Sequence, residues 1–333
     1  MNTLTCKFLA VLLMLNAAVG LSACTLAATP TPPLTPITIQ LRWTHQAQFA
    51  GFYAADQNGC YAAEGLAVTF VEGGPDVDTL TSVLDGTAQF GVTSAHTLIL
   101  ARAEGKSLRA IAVVYRRSPQ IFFALAESGI TRPEDFVGKA IRVTPRSAVI
   151  LRMMTARIGI RPDQYTERYV ASLEPFYSGK VQVSSGFVIN EVLTAQKTGY
   201  KLNLIYPDDY GVHFYGDTIF TADGLIAADP ELVTRFLRAT LKGWTYAVEN
   251  PVAIGSMVLK YDPDADVEHE TTTITASIPL VNISEDHIGW MKPEMWAGME
   301  RTLREQGVLA DSVDVTQLYT LQFLHQIHGR SSQ

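Results

Sequence analysis

The stretch Arg42-Trp-Thr-His-Gln-Ala-Gln-Phe-Ala-Gly-Phe-Tyr53 follows a predicted strand and indicates a loop and then a helix. Before it, residues 37–41 alternate apolar and polar side chains, which is the two-residue period of a strand. The aromatic side chains of its second half recur at helical spacing. The loop between them carries Trp43, His45 and Gln48, a large flat apolar surface beside hydrogen-bonding groups.

This loop is a candidate ligand contact. In an open α/β sheet, ligands bind outside the carboxyl ends of strands. An indole, an imidazole and an amide at that point can stack on a planar ligand and orient it. The alternative is that Trp43 fills the core and Gln48 caps a helix, and the residue types alone leave both interpretations open.

The rest of the chain alternates short apolar segments with helical ones, which predicts an α/β fold with mostly parallel sheets flanked by helices. We expect a first lobe from residues 37–126 and 210–333, and a second lobe from residues 127–209. Residues 181–189 resemble a strand broken at Ser184-Ser185-Gly186. Two lobes joined by two crossings form a cleft that closes by hinge motion. Two-lobed enzymes share this layout, so it does not settle function.

The N-terminus has the pattern of an export signal. Lys7 precedes an apolar run at residues 8–19 that is too short for a membrane span. Leu21-Ser22-Ala23-Cys24 looks like a lipoprotein cleavage site, which predicts a signal peptide at residues 1–23 and a lipid on Cys24. The alternative is a plain signal peptide with a chance cysteine. Residues 24–36 are rich in Pro and Thr, which predicts a tether to the outer face of the cell membrane.

Composition narrows the class of partner. The 333 residues are 47% hydrophobic and 18% charged, as in an ordinary globular protein. The formal charge of −7 argues against nucleic acid, whose binders present a basic surface. Cys6 is lost with the signal and Cys24 is predicted to be lipidated, so Cys60 is left alone and no intramolecular disulfide is expected. We expect a monomer.

Catalytic motifs are absent from the sequence. It contains no dinucleotide fingerprint, phosphate loop, nucleophile elbow or His-Glu-x-x-His helix. Asp262-x-Asp264-x-Asp266 begins like a calcium loop, but Val267 stands where the loop needs glycine. We therefore expect no catalytic residue, no metal site and no cofactor.

Several further residues are weaker ligand candidates. Thr93 follows a short strand at residues 89–92, and Tyr115 and Tyr177 lie near predicted strand ends, where tyrosines can stack on a ligand. Arg146 and Ser147 open a helix whose N-terminus is suited to face an anionic or carbonyl group. Tyrosines commonly line surfaces between lobes, so structural roles remain open for them.

The opening stretch, residues 41–53, resembles that of the thiamine-pyrimidine branch of ABC-transporter solute-binding proteins, and the likeness spans nearly all of the chain after the tether. It continues in Gly59-Cys-Tyr-Ala-Ala-Glu-Gly-Leu-Ala-Val68, Gly86-Thr-Ala-Gln-Phe-Gly-Val92, Ser128-Gly-Ile-Thr-Arg-Pro133 and Asp314-Val-Thr-Gln-Leu-Tyr319, together with the residues from Trp296 onward.

This resemblance implies a type II periplasmic-binding fold with the ligand between the lobes, and a receptor that serves an ABC permease and its ATPase. Relatives deliver riboflavin, in a lipoprotein branch, or a pyrimidine precursor of thiamine such as formylaminopyrimidine or hydroxymethylpyrimidine. By resemblance, Glu191 faces the heterocycle with Asn190 beside it, although this pair also fits a helix N-cap. The predicted ligand contacts are Trp43, Gln48, Phe52, Thr93, Tyr115, Tyr177, Asn190 and Glu191.

The same family includes a pyrimidine synthase that depends on a cysteine-rich segment and iron-associated histidines. This chain has no such cysteine cluster and carries an export signal. We therefore expect a transport receptor and not an enzyme.

Overall fold

The first strand begins inside the stretch that the sequence assigns to the tether. The computed structural model describes residues 33–281 and 286–329, so the predicted signal peptide, Cys24 and most of the tether lie outside the described residues. Thr35 and Pro36, expected to end the tether, instead pair with Leu66 and Ala67 of the neighbouring strand. The predicted C-terminal end of the tether is therefore wrong. Thr35 and Pro36 precede the alternating pattern, but their backbones pair with β2, a partner that lies about thirty residues away in sequence.

Within the described residues, the strands form two five-stranded sheets. The strands are β1 (Thr35–Gln40), β2 (Leu66–Val71), β3 (Phe90–Ser94), β4 (Leu108–Val113), β5 (Gln120–Leu125), β6 (Ala140–Val143), β7 (Thr166–Tyr169), β8 (Val183–Phe187), β9 (Leu202–Ile205) and β10 (Asp217–Ala222).

The two sheets share one topology. Their strand orders are β2-β1-β3-β10-β4 and β7-β6-β8-β5-β9. In the first sheet only β10 runs antiparallel to its neighbours, and in the second only β5 does. Four strands of each sheet therefore run in one direction, which confirms the predicted mostly parallel lobes. The carboxyl ends of these strands are where a ligand is expected.

The first crossing between lobes lies earlier than the sequence predicted. β5 pairs with β8 and β9, so it belongs to the second sheet and not to the first lobe. The chain leaves the first lobe at residues 114–119, not after residue 126, and returns at residues 206–216. The apolar strands β4 and β5 look alike in sequence, and only their distant pairing partners separate them.

Helices flank both sheets. Those described are α1 (Ala50–Gln57), α2 (Cys60–Ala63), α3 (Thr79–Leu84), α4 (Ala95–Ala103), α5 (Pro145–Arg157), α6 (Glu174–Tyr177), α7 (Glu191–Lys197), α8 (Asp223–Ala228), α9 (Pro230–Glu249), α10 (Pro251–Val258), α11 (Val267–Val281), α12 (Pro293–Glu305) and α13 (Gln322–His328), with short 3-10 turns between them. No helix among these is long and apolar enough to cross a bilayer.

The helix α9 holds the opening stretch in place. It begins at Pro230, and the preceding residue, Asp229, caps it. The Asp229 side chain accepts a hydrogen bond from the Leu232 N–H at 2.9 Å, which satisfies a free donor of the first turn. Its buried face packs on α1, where a side chain at Gly51 would overlap the Trp244 ring, which lies 2.1 Å from the added carbon. The backbone that follows Trp43 is therefore fixed against the core.

The strand β8 is continuous, although its serines and glycine were expected to break it. Ser184 and Ser185 are buried and lie in the ladder with β5. Their small side chains leave room for the guanidinium of Arg142, which donates to Ser184 Oγ at 3.3 Å and to the Ser185 carbonyl at 2.9 Å. Polar residues stay inside this strand because a buried arginine uses them as acceptors.

Candidate ligand-binding cleft

A cavity with about 530 Å³ of empty space, partly open to solvent, lies between the two lobes. The first lobe contributes Arg42 and Trp43 from the loop after β1. The second lobe contributes Gln120, Arg142, Thr144, Arg146, Ser185, Gly186, Phe187, Asn190 and Glu191.

Trp43 is half-buried and takes its position from the end of β2. The Gly73 N–H donates to the Trp43 carbonyl at 3.0 Å, which ties the two loops together. A side chain at Gly73 would come within 2.3 Å of the Leu41 carbonyl and 2.6 Å of the Trp43 nitrogen. Only glycine allows this approach, and the approach places the indole in the cavity wall.

Arg42 is fixed by a buried ion pair. Its Nη1 donates to Asp217 Oδ1 at 2.7 Å, and the second oxygen of Asp217 accepts from Gln48 Nε2 at 2.6 Å. Gln48 in turn accepts from Gln46 Nε2 at 2.7 Å. Buried charges persist when they are paired and fully hydrogen-bonded, as here. Gln48 therefore lies behind Arg42, oriented toward Asp217.

Glu191 enters the cavity from the start of α7. Its Oε2 accepts from the Phe187 N–H at 2.8 Å, and a side chain at Gly186 would lie 2.9 Å from Glu191 Cβ, so glycine is needed there. Burial raises the pKa of Glu191, and the Phe187 N–H opposes this shift. Asn190 occupies the N-cap position but makes no side-chain cap bond, which leaves its amide available in the cavity.

Three arginines meet at this cavity. Arg142 is held by backbone carbonyls, including that of Ser172, which accepts from Nε at 2.8 Å. Arg146 reaches across the cleft and donates from Nη2 to the Gly74 carbonyl at 3.0 Å. Arg42, from the first lobe, lies 5.2 Å above the centre of the Phe187 ring of the second lobe. Both lobes therefore touch around the cavity.

His96 and Thr93 are two buried polar side chains of the first lobe. His96, at the start of α4, is 5% exposed, and burial followed by the charges of Arg42 and Arg146 lowers its pKa to about 3. It is therefore neutral at physiological pH. Neither His96 Nε2 nor Thr93 Oγ1 has a hydrogen-bond partner among the described residues.

The predicted ligand contacts divide into two groups. Trp43, Asn190 and Glu191 line the cavity, and they come from both lobes. The cavity wall does not include the other predicted contacts, so their ligand contacts remain predictions: Gln48 bonds to Asp217, Phe52 packs edge-on against Trp244, Thr93 is buried in β3, Tyr115 donates to the Gln48 carbonyl and Ser277, and Tyr177 stacks on Tyr200.

Sequence reasoning missed most of the second lobe's contribution. The missed lining residues are Arg42, Gln120, Arg142, Thr144, Ser185, Gly186 and Phe187. One local signal was available, because Arg142 is a charge inside the otherwise apolar strand β6. Arg42 lies in the opening stretch itself, where only its distant partner Asp217 shows that it faces the cleft. The remaining second-lobe residues reach the cavity through the pairing of β5, β6 and β8, which no local pattern shows. Within residues 33–281 and 286–329, no three His, Cys, Asp or Glu side chains group as metal ligands.

Comparison with known proteins identifies the family. The NMT1/THI5-like family model matches residues 46–254, more than half of the chain. The chain belongs to the NMT1/THI5-like family. The match begins inside the opening stretch and ends in α10, so it includes both crossings and all of the cavity wall that the second lobe contributes.

Curated relatives of this NMT1/THI5-like protein cover most of its length. The riboflavin-binding protein RibY of Chloroflexus aurantiacus is 26% identical, over 94% of this chain and 95% of its own. The formylaminopyrimidine-binding protein of Halalkalibacterium halodurans is 26% identical, over 80% and 85%. The 4-amino-5-hydroxymethyl-2-methylpyrimidine phosphate synthase of Legionella pneumophila is 23% identical, over 86% and 92%.

Solved structures establish the fold. The periplasmic aliphatic sulphonate binding protein SsuA from Escherichia coli superposes with a TM-score of 0.65 at 15% identity, covering 85% of this chain and 91% of that one. The predicted periplasmic-binding fold is therefore confirmed. At this identity the likeness carries no information about the ligand.

Proposed function

We propose that this protein is the solute-binding component of an ABC importer, and that it captures riboflavin in the cleft and delivers it to a membrane permease. One observation carries the proposal: Trp43 from the first lobe lines the same cavity as Asn190 and Glu191 from the second. A flat apolar surface opposite polar groups is the arrangement that holds a planar heterocycle. The similarity to a riboflavin-binding relative supports this choice of ligand.

The chemistry of the cavity suits a ring with imide and carbonyl groups. The indole of Trp43 offers a stacking surface. An ionised Glu191 accepts hydrogen bonds from ring N–H groups, whereas the Asn190 amide both donates and accepts. Because Gly186 and the Phe187 N–H fix Glu191 against β8, its carboxylate is oriented before the ligand arrives.

Capture works through closure of the two lobes. Ligand first meets the loop after β1, and the second lobe then brings Glu191 and Asn190 over it. Only contacts that differ between the open and closed forms stabilise the closed form. Closed protein presents a surface that spans both lobes, and this surface is the one offered to the permease.

The proposed cellular setting follows from the sequence. The lipoprotein pattern at residues 21–24 supports a lipid on Cys24 that holds the receptor at the outer face of the cell membrane. The permease and its ATPase are then the partners. Because a diacylglycerol on Cys24 and a short tether keep the cleft near the membrane, transfer needs no free diffusion.

A pyrimidine precursor of thiamine is the second candidate ligand. A formylaminopyrimidine-binding protein and a pyrimidine phosphate synthase are both relatives of this chain, so a smaller ring is compatible with the family. The similarity to a synthase also raises the alternative that this protein is an enzyme that makes a pyrimidine phosphate. Incubation with pyridoxal phosphate and iron, followed by assay for a pyrimidine product, tests that alternative directly.

Riboflavin titration tests the proposal, because stacking on an indole quenches isoalloxazine fluorescence. The purified protein is expected to quench riboflavin saturably, whereas the Trp43→Ala variant should bind more weakly by about 1–3 kcal/mol, the range for ring stacking. The Trp43→Phe variant keeps an aromatic surface and should retain most of the affinity. Equal affinity of wild type and Trp43→Ala would mean that the indole only fills space. Tight pyrimidine binding without flavin quenching would favour the second candidate.

A further inference from the structure

The wall of the cleft carries more positive than negative charge. Arg42, Arg142 and Arg146 all line the cavity, and Glu191 is the only acid among the described residues that line it. An arginine side chain stays protonated in proteins. A neutral ligand such as riboflavin does not need an excess of positive charge in the wall, so this excess requires an explanation of its own.

Among the described residues, only Arg42 of these three arginines has an ion-pair partner. Arg42 is neutralised by Asp217 at 2.7 Å. Arg142 donates to the carbonyls of Ala171, Ser172 and Ser185, which satisfy its N–H groups without cancelling its charge. In the part of the chain that the structure describes, neither Arg142 nor Arg146 has a carboxylate within ion-pair distance.

Glu191 offsets this charge incompletely. It acts on Arg142 from a distance, and its own burial disfavours the ionised form. Burial lowers the pKa of Arg142, and it lowers the pKa of Arg146 to about 10, with the charge of Arg42 as the second cause; Asp217 and Asp78 oppose the shift of Arg146 without reversing it. Enclosing an unbalanced cation costs free energy, and an anion placed beside it removes that cost.

Neutral hydrogen-bonding groups surround the same charges. Thr144, Ser185 and Asn190 line the cavity with two hydroxyls and an amide. The guanidinium of Arg146 donates to the Gly74 carbonyl and has further N–H groups to offer an oxyanion, whereas Arg142, whose N–H groups already bond to the protein, contributes its charge. Hydroxyls and amides supply further donors to the remaining oxygens. Arg146 is also the second residue of α5, so its charge adds to the positive end of that helix.

We infer that the cleft recognises an anionic substituent of its ligand, held between Arg142 and Arg146, and that a phosphate ester of the heterocycle binds in preference to the neutral parent. For a flavin this means flavin mononucleotide over riboflavin. The inference rests on the proposed function of the cleft as a flavin receptor and specifies which flavin it takes. A phosphate ester carries a charge of about −1.5 to −2 at neutral pH, opposite in sign to the charge that Arg142 and Arg146 leave in the wall.

The test compares riboflavin with flavin mononucleotide by fluorescence quenching at low ionic strength. Wild type is expected to bind flavin mononucleotide at least about tenfold more tightly, as a charge-assisted contact allows. The Arg146→Gln variant should lose this preference, measured as the ratio of its two flavin affinities, and a circular-dichroism spectrum and unfolding temperature like those of wild type show that it folds. Arg152→Gln is the matched control, since Arg152 lies on the same helix and pairs with Glu167 at 2.6 Å outside the cavity.

A second variant should strengthen the preference for flavin mononucleotide that Arg146→Gln removes. Glu191→Gln removes the one acid of the cavity wall, so the ratio of flavin mononucleotide to riboflavin affinity should increase. Equal affinities of wild type for the two flavins, or an Arg146→Gln variant with an undiminished preference, would overturn the inference and leave the riboflavin receptor intact.

The pyrimidine pair separates the two proposals. Titration with hydroxymethylpyrimidine and with its phosphate ester is followed by calorimetry. If no flavin binds but the phosphorylated pyrimidine binds more tightly than its parent, the flavin proposal fails and the anionic site stands. If neither phosphate ester exceeds its parent, the anionic site is rejected.

Discussion

His96 is a residue whose burial links the stability of the protein to pH. In the folded protein its pKa is about 3, whereas the unfolded chain has the ordinary value of about 6.5. The unfolded chain therefore takes up a proton first as the pH falls. The stability associated with neutral His96 is present above about pH 6.5 and is lost as the pH falls toward 3.

The pH dependence of unfolding tests this assignment. Between about pH 6 and pH 4, wild type should lose up to about 1.4 kcal/mol of unfolding free energy per pH unit more than the His96→Gln variant, which cannot titrate. Urea denaturation at several pH values measures the difference. Parallel curves for the two proteins would show that His96 is protonated in the folded state.

The sequence could predict individual site residues only where local pattern and chemistry coincide. Trp43 follows a strand in a loop, and Glu191 opens a helix, so both stood out before the fold was known. Arg142 escaped notice because its charge is held by the carbonyls of Ser172 and Ser185, which lie 30 and 43 residues further along the chain. Such acceptors are assembled by strand pairing.

At the scale of the element, the close contact between α1 and α9 depends on two glycines, Gly51 and Gly243. A side chain at Gly243 would lie 2.1 Å from the Gly51 carbonyl oxygen and 2.6 Å from Ala55 Cβ. The helices approach this closely because neither glycine carries a Cβ. Since α1 continues the loop that holds Trp43, any separation of the helices would be transmitted to the cleft.

Alanine substitutions should distinguish a glycine in close contact with another helix from a glycine with free space around it. Gly243→Ala is expected to destabilise the protein by about 1–3 kcal/mol through overpacking. Gly298→Ala is the control, because no atom lies within 4 Å of the added carbon in α12. It should stabilise by about 0.5–1 kcal/mol through helix propensity. Thermal unfolding measures both, and a neutral Gly243→Ala would contradict the close contact.

Element types were largely predictable, whereas their assignment to sheets was not. The strand indicated by the alternation at residues 37–41 is observed as β1, and the helix indicated by the second half of the opening stretch is observed as α1, because local spacing sets both patterns. The placement of β5 was wrong because its partners, β8 and β9, follow it by about 60–80 residues. Pairing over such separations is decided by the packed molecule.

At the scale of the whole molecule, a small number of polar contacts joins the lobes away from the cavity. Lys197 at the end of α7 pairs with Asp266, which precedes α11 in the first lobe. Arg157 of the second lobe lies 3.5 Å from Thr302 Oγ1 of the first. Contacts this sparse and exposed leave the lobes free to separate, which a receptor needs in order to admit and release its ligand.

The pair Lys197–Asp266 should favour the closed form, because it exists only when the lobes meet. Lys197→Ala is therefore expected to weaken ligand binding by about two- to fivefold, the small effect typical of an exposed ion pair. It should also enlarge the ligand-free protein in small-angle scattering. Lys180→Ala is the matched control, since Lys180 pairs with Glu174 at 3.6 Å inside the second lobe and is not involved in closure. If both variants bind and scatter alike, the pair has no part in closure, and the equilibrium is set by the cavity contacts of Arg42, Arg146 and Phe187.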